Sequence, residues 1–223
     1  MSVNFLLPMK GHSERIPNKN MKQFRGKPLY HSILSELIKS KYLKNIYIDT
    51  DSDLISRDAK KFFPEVTIIS RPTELCGGTV SMNKIIDHDI SVINGEYYLQ
   101  THSTNPLLRV KTIDSAIEFF FNNLDKYDSV FSVKKIQSRL YWGDGNAINH
   151  NPEELIRTQD LSPVYEENSN FYIFSRKSFS KAGNKRIGIN PYMFEIPPFE
   201  ALDIDIQSDF DFAVLISDFI KRV

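Results

Sequence analysis

The chain is poor in the features that staple, charge or anchor a protein. Its single cysteine, Cys76, in 223 residues excludes an internal disulfide; standing before Gly77-Gly78, it reads as a small residue entering a turn and not as a catalytic thiol. No charge is in surplus, since 28 Lys and Arg stand against 28 Asp and Glu. Without a global field to recruit nucleic acid or an anionic membrane, any anion must be held by a local cluster. No apolar run approaches the ~18 residues of a membrane span, and Met1–Met9 carry no basic leader region, so a cytoplasmic location is expected. The two common phosphate-loop fingerprints, G-x-G-x-x-G and G-x-x-x-x-G-K-[ST], are missing. His12, His31, His88, His102 and His150 fall at no metal-ligand spacing, and a solvent or capping role is expected for His12 and His102. There are no repeats or low-complexity tracts.

What is present begins at once. The stretch Leu6–Leu29, LLPMKGHSERIPNKNMKQFRGKPL, opens as the end of an apolar run (Val3, Phe5, Leu6, Leu7). It becomes a basic loop with Lys10, Gly11, Arg15, Lys19 and Lys22, and turns at Gly26 before a helix that opens at Pro28. A first strand that empties into a cationic loop is where α/β folds place a phosphate, so the loop reads as a triphosphate cradle.

The rest of the chain alternates. Helices are expected over Leu29–Lys39, Asp53–Phe62, Val80–Ile93 and Thr112–Asn122, and strands over Asn45–Asp49, Val66–Ser70, Tyr97–Gln100, Ser129–Val133, Phe171–Phe174 and Met193–Ile196. A closing amphipathic helix carries Phe212, Leu215, Ile216, Phe219 and Ile220. The alternation argues for one α/β domain over residues 1–223, with a Rossmann-like, mostly parallel sheet covered by helices on both faces. Ligands belong at the carboxyl ends of its strands. The pattern breaks over Lys134–Asn168, a polar insertion too long for an ordinary connection, with Trp142–Asn146 as a hairpin tip and apolar Leu140, Tyr141 and Trp142 beside it.

Near the end, Asp203 and Asp205 flank one apolar residue. In a β-like context both carboxylates face one side while Ile204 and Ile206 face the core. Two carboxylates on a strand end make a hard oxygen site of the kind Mg²⁺ uses beside nucleotide phosphates.

The order K-G-H-S-E-R-I-P-N-K-N followed by G-K-P-L resembles the R-x-x-S-x-R-x-P-x-K-N...G-x-P-L signature of the acylneuraminate (sialic acid) cytidylyltransferases and their Kdo-activating relatives. Lys10 stands where that family usually has Arg, and Ser13, Arg15, Pro17, Lys19 and Asn20 match. Three later blocks agree in order: Gln100 running into T-H-S-T-N-P-L-L-R, then R-T-Q-D-L-S-P-V-Y-E-E-N-S-N-F-Y-I, then D-I-D-I-Q-S-D-F. Ser169 and Asn170 replace the family's Gly and Ala, and Gln100 is followed by two extra residues before Pro106.

The resemblance implies a fold of the nucleotide-diphospho-sugar transferase type with a dimerisation arm at 134–168, hence a homodimer. It implies Mg²⁺-dependent transfer of CMP from CTP to a 2-keto sugar acid (sialic, legionaminic, pseudaminic or Kdo-like), releasing pyrophosphate. Lys10, Gly11, Ser13, Arg15, Lys19, Asn20, Arg71 and Ser81 are the nucleotide-binding positions it implies, and Asp203 and Asp205 the metal ligands. Lys19 joins the two aspartates as catalytic. Gln100, Arg157, Gln159 and Tyr172 fall on the acceptor side. Arg157 is the candidate clamp for the acceptor's carboxylate, because an Arg meets a carboxylate with two parallel bonds where Lys offers a point charge. An ion pair of Arg157 with Glu153, Glu154 or Asp160 is the plainer alternative. Two other readings of the whole chain stay open here: a nucleotidyltransferase for a neutral sugar 1-phosphate, and a nucleotide-binding module without turnover.

Overall fold

Val3, Phe5 and Leu6 have almost no exposed surface, which a run without polar alternation achieves only as a central strand covered on both faces. The computed structural model describes residues 1–222 and places this run at the middle of a seven-stranded sheet. The elements in chain order are β1 (Val3–Leu6), β2 (Gln23–Phe24), β3 (Lys27–Pro28), α1 (Tyr30–Leu37), β4 (Leu43–Thr50), α2 (Asp53–Phe62), β5 (Val66–Ser70), α3 (Met82–Val92), β6 (Tyr97–Thr101), α4 (Val110–Asn122), β7 (Ser129–Ile136), β8 (Val164–Ser175), α5 (Arg176–Lys181), β9 (Pro191–Glu195) and α6 (Gln207–Arg222). The sheet order is β5-β4-β1-β6-β8-β7-β9. Only β8 runs against its neighbours.

Alternation along the strands builds the two layers. Phe5, Ile46, Ile48 and Leu99 pack with Tyr30, Ile33, Ile55, Ile113 and Ile117, so α1, α2 and α4 cover one face. Leu6, Ile69, Tyr98, Tyr172 and Phe174 pack with Ile86, Ile90 and Phe179, so α3 and α5 cover the other. The chain winds from β1 outward through β4 to β5, then returns to β6 on the opposite side of β1. The crevice beyond the carboxyl ends of β1 and β6 is therefore the topological switch point, where open α/β sheets bind ligands.

Several expected boundaries move, each for a local reason. The helix expected from Leu29 starts at Tyr30, because the Leu29 amide still donates to Lys22 O (2.9 Å) across the β2–β3 hairpin. That hairpin turns on Arg25 (φ 54°) and Gly26 (φ 80°), two left-handed residues as a two-residue hairpin of this hand requires. Ser81 caps α3, accepting from the Asn83 amide (3.3 Å), so the helix expected from Val80 starts at Met82. Short α5 has no periodicity long enough to announce itself.

The largest difference lies in the insertion. Val133–Ile136 and Val164–Glu167 pair as a ribbon that extends β7 and β8 beyond the sheet, leaving residues 137–163 as the irregular part. The expected tip at Trp142–Asn146 is formed and closed by the Trp142 amide on Asn146 O (2.8 Å). Where the ribbon joins the sheet, β8 bulges: Ser132 Oγ donates to Asn168 Oδ1 (2.6 Å) and accepts from the Phe171 amide (3.0 Å), with Ser169 left-handed at φ 56°.

The closing amphipathic helix forms with Phe210, Ala213 and Ser217 inward and Ile216 packed beside them, whereas Phe212, Leu215 and Phe219 are more than half exposed.

Candidate functional site

The loop after β1 is fixed from both ends. Leu7 and Met9 donate to Tyr47 O and Asp49 O, continuing the ladder past the end of the strand. The Gly11 amide then donates to Asp51 Oδ1 (2.6 Å). A Cβ on Gly11 would lie 2.8 Å from Ser52 Cβ, so only glycine lets the loop pass this close to the start of α2. Asn20 closes the loop, donating to Lys10 O (2.9 Å) and accepting from Ser103 Oγ (2.5 Å). Ser13 and Ile16 are buried, and Ile16 packs with Leu107, Ile204 and Phe210. That small apolar cluster ties the loop to the chain's last segment.

Through this tie the loop cations meet the two carboxylates. Lys19 Nζ donates to Ile204 O (2.6 Å) and lies 3.9 Å from Asp205 Oδ1. Arg15 Nη2 bonds the same Asp205 oxygen at 2.6 Å. Burial holds the Lys19 ammonium below its usual pKa, opposed by Asp203 and Asp205 and reinforced by Arg15 and Lys10.

Asp203 and Asp205 come together as expected at the cleft but not on a strand. Residues 202–205 are irregular, Ile204 is buried, and Ile206 is half exposed instead of facing the core. The reason is that α6 starts immediately after: Asp209 accepts from the Asp205 and Ile206 amides (3.0 and 2.9 Å), pulling the backbone out of extension. Both carboxylates line one cavity of ≈ 650 Å³, with Lys134, Glu167, Ser169 and Phe212 on its walls. Asp203 Oδ1 is buried without any hydrogen-bond partner among the described residues. Burial pushes the Asp203 carboxyl above the usual carboxylate range, with Thr104 opposing it and Asp205 adding to it. An orphaned, desolvated carboxylate oxygen beside a second carboxylate is the donor set a hard divalent cation satisfies.

Gln100 and Tyr172 are register partners on β6 and β8, yet both are sealed, 0% and 1% exposed. Over both of them lies Arg186. Its guanidinium stacks on the Tyr172 ring at 3.9 Å, donates to Gln100 Oε1, and is held through Nε by Asn83 Oδ1 (3.2 Å). Nothing in the loop sequence K-R-I-G announced it. The residue two positions further along, His102, is 3.1 Å from Gln100 Nε2. Burial pulls the His102 pKa down to about 3, with Arg186 and then Lys19 adding to the effect. His102 is half-buried, and its contact among the described residues is with Gln100. Asn170 and Asn105, both fully buried, lock β8 to this end by Asn105 Nδ2 on Asn170 Oδ1 (3.1 Å).

Other expected residues have contacts of their own. The Arg71 side chain is buried against Asp49, to which Nε donates. Ser81 is exposed and accepts the capping bond of α3. Arg157 pairs with Asp160 through Nε (2.6 Å) and Nη2 (3.2 Å) on the exposed insertion, and it touches neither Gln100 nor Tyr172 within the chain. Gln159 is exposed beside it. Sequence reading missed a further cluster behind β4, where Asp49, His88 and Asp89 bring ligand atoms within 4.8 Å of one another. The cluster joins the end of β4 to α3, two segments far apart in the chain, so no spacing rule finds it.

A family model described as cytidylyltransferase matches residues 4–218. The pseudaminic acid cytidylyltransferase of Campylobacter jejuni subsp. jejuni is 25% identical over 224 residues, covering 95% of this chain and 94% of that relative. The N-acylneuraminate cytidylyltransferase A of Danio rerio is 27% identical over 219 residues, covering 95% of this chain and 50% of that protein. A solved CMP:2-keto-3-deoxy-manno-octonic acid synthetase, complexed with CTP, has a TM-score of 0.71 over 98% of this chain and 99% of its own, at 12% identity. A 4-diphosphocytidyl-2C-methyl-D-erythritol synthase from Anaerococcus prevotii gives 0.68 over 97% and 96%, at 13% identity.

Proposed function

The chain belongs to the cytidylyltransferase family, and from that premise we propose that it transfers CMP from CTP to a 2-keto sugar acid with Mg²⁺ as cofactor. The acceptor hydroxyl attacks the α-phosphorus, the bond to the β-phosphate oxygen breaks, pyrophosphate leaves, and the hydroxyl proton passes to solvent. The observation that carries this reading is the meeting of Lys19 and Arg15 with Asp205, beside the unpartnered Asp203 oxygen, at the switch point. Phosphoryl transfers of this kind are catalysed mainly by positioning and charge neutralisation. Lys10, Arg15 and Lys19 are the cations for the triphosphate, and the Gly11 backbone admits it closely. Mg²⁺ held by Asp203 and Asp205 would neutralise phosphate charge and make the nucleophile's hydroxyl more acidic. Arg15 now bonds Asp205 and is exposed enough to turn to a phosphate.

We further propose a homodimer and a cytoplasmic location. Phe199, Phe212, Leu215 and Phe219 are exposed on and beside α6, and Tyr141, Trp142 and Leu155 on the insertion, an apolar surface larger than scattered single residues. Arg157 has no part in its own subunit's cleft, so a role on the acceptor side requires the arm of a second copy. Among the described residues no helix is long and apolar enough to cross a membrane, and Cys76 is a free thiol.

The test is pyrophosphate release with four nucleoside triphosphates against sugar acids and neutral sugar 1-phosphates. Turnover is expected for CTP with an acid, lost on chelation and restored by Mg²⁺. Asp203→Asn and Asp205→Asn each lose most turnover with the melting temperature retained. Near-normal Mg²⁺-dependent turnover in both variants would sink the assignment.

A further inference from the structure

Arg186 is a cation without an anion. Most of its side chain is withdrawn from water, its neighbours Tyr172 and Gln100 are sealed beneath it, and no carboxylate of the described residues lies within the 4.0 Å of an ion pair. Glu167, the nearest acid on β8, bonds the Tyr172 hydroxyl and acts on Arg186 only as a longer-range charge. The fixed partners of the guanidinium are neutral: Asn83 Oδ1 takes Nε–H and Gln100 Oε1 takes one Nη1–H, and Nη2 makes no hydrogen bond among the described residues. A mostly buried guanidinium held by neutral acceptors carries a desolvation cost that an anionic ligand would offset.

Its position says which ligand. The loop cations Lys10, Arg15 and Lys19 follow β1, on one side of β6, and Arg186 lies over Tyr172 of β8 on the other, bonded to Gln100 at the end of β6. Two cationic centres flanking one strand end suit a substrate pair with two separate anionic groups. The triphosphate takes the first. Resting on the cytidylyltransferase reading above, we propose that Arg186 binds the carboxylate of the acceptor and so makes the chain select a sugar acid over a neutral sugar. A planar guanidinium clamped on an aromatic face and steered by Gln100 and Asn83 is suited to a planar carboxylate, which a point-charge ammonium matches less well.

The experiment compares the wild type with Arg186→Met and Arg186→Lys. Each is assayed with pseudaminic acid, N-acetylneuraminic acid and 2-keto-3-deoxy-manno-octonic acid, as the free acid and as the methyl ester. The wild type is expected to prefer acid to ester strongly. In Arg186→Met, kcat/KM for the acid falls by about 100-fold, as loss of a charge-assisted contact implies. The ester rate stays within a few-fold, so the preference collapses, and Arg186→Lys recovers part of it. CTP affinity by calorimetry and the melting temperature serve as folding controls, with CTP affinity expected to stay within about twofold. Equal losses on acid and ester, or an undiminished preference for the acid in Arg186→Met, overturn the assignment of Arg186 alone. A wild type that turns over acid and ester equally also overturns it while leaving CMP transfer intact. Absence of turnover with every acid overturns the functional reading, and the role of Arg186 falls with it.

Discussion

Replacing Asp89 with Asn should make the protein more stable at neutral and alkaline pH and flatten its pH dependence. Asp49 and Asp89 are each 1% exposed, and Arg71 is buried in an ion pair with Asp49. Two carboxyls facing one cation in a dry site cannot both ionise cheaply. Burial first, then the charge of Asp49, pushes the Asp89 carboxyl well above the usual carboxylate range, with Arg71 opposing. Unfolded, Asp89 loses its proton near pH 4; folded, it keeps it far above that. The native state therefore binds one more proton than the unfolded state across this window. Stability falls as pH rises, by about 1.4 kcal/mol per pH unit, or roughly 3 kcal/mol between pH 5 and 7. An Asn amide can replace the retained proton toward Asp49 Oδ2, which has no other partner, and it does not titrate. His88 Nδ1 lies 3.6 Å from Asp89, so the comparison is repeated in a His88→Gln background. Urea unfolding at pH 5, 6, 7 and 8 reads the difference. Stability curves for the wild type and the Asp89→Asn variant that run parallel across this range would show that Asp89 is ionised in the fold and refute the reasoning.

Gly11→Ala should lose CTP affinity by about 1–3 kcal/mol, the usual cost of overpacking, because its new Cβ meets Ser52 Cβ at 2.8 Å. Adding Ser52→Gly should restore part of that loss in a calorimetric titration, and an unrescued double variant would move the cause elsewhere. Lys19→Ala should lower kcat/KM for CTP by roughly two orders of magnitude, as removal of a buried phosphate contact does. If arms are exchanged, Arg157→Ala should raise the acceptor KM while sparing the KM for CTP. Mixing Arg157→Ala with Lys19→Ala subunits should then regain activity, since one site of each mixed dimer is intact. Mixtures no more active than the sum of their parts would remove Arg157 from a partner's site.

The sheet was legible because its strands are buried on both faces and write themselves as apolar runs, and because the basic loop follows the first of them. The loop's contacts with Asp203 and Asp205 were legible only through resemblance, since 185 residues separate Lys19 from Ile204. Of the residues expected on the acceptor side, Gln100 and Tyr172 are buried beneath Arg186, a residue in an irregular loop that no periodicity marks. The inner face of α6 was only partly legible: Ile216 packs on the core, but Phe212, Leu215 and Phe219 repeat at helical spacing whether they face their own core or another surface. The ribbon extending β7 and β8 was hidden because exposed strand residues such as Glu166 and Glu167 carry no apolar alternation.

That this chain moves a CMP group from CTP to a sugar acid is tested most directly by product identification. Purified protein is incubated with CTP, Mg²⁺ and each of the three sugar acids, and the mixture is resolved by mass spectrometry and phosphorus NMR. A new species with the mass of CMP joined to the acid, a single phosphodiester resonance and an equal amount of pyrophosphate is expected. Intact CTP with every acid, or a diphosphate-linked product formed from a neutral sugar 1-phosphate, would contradict it.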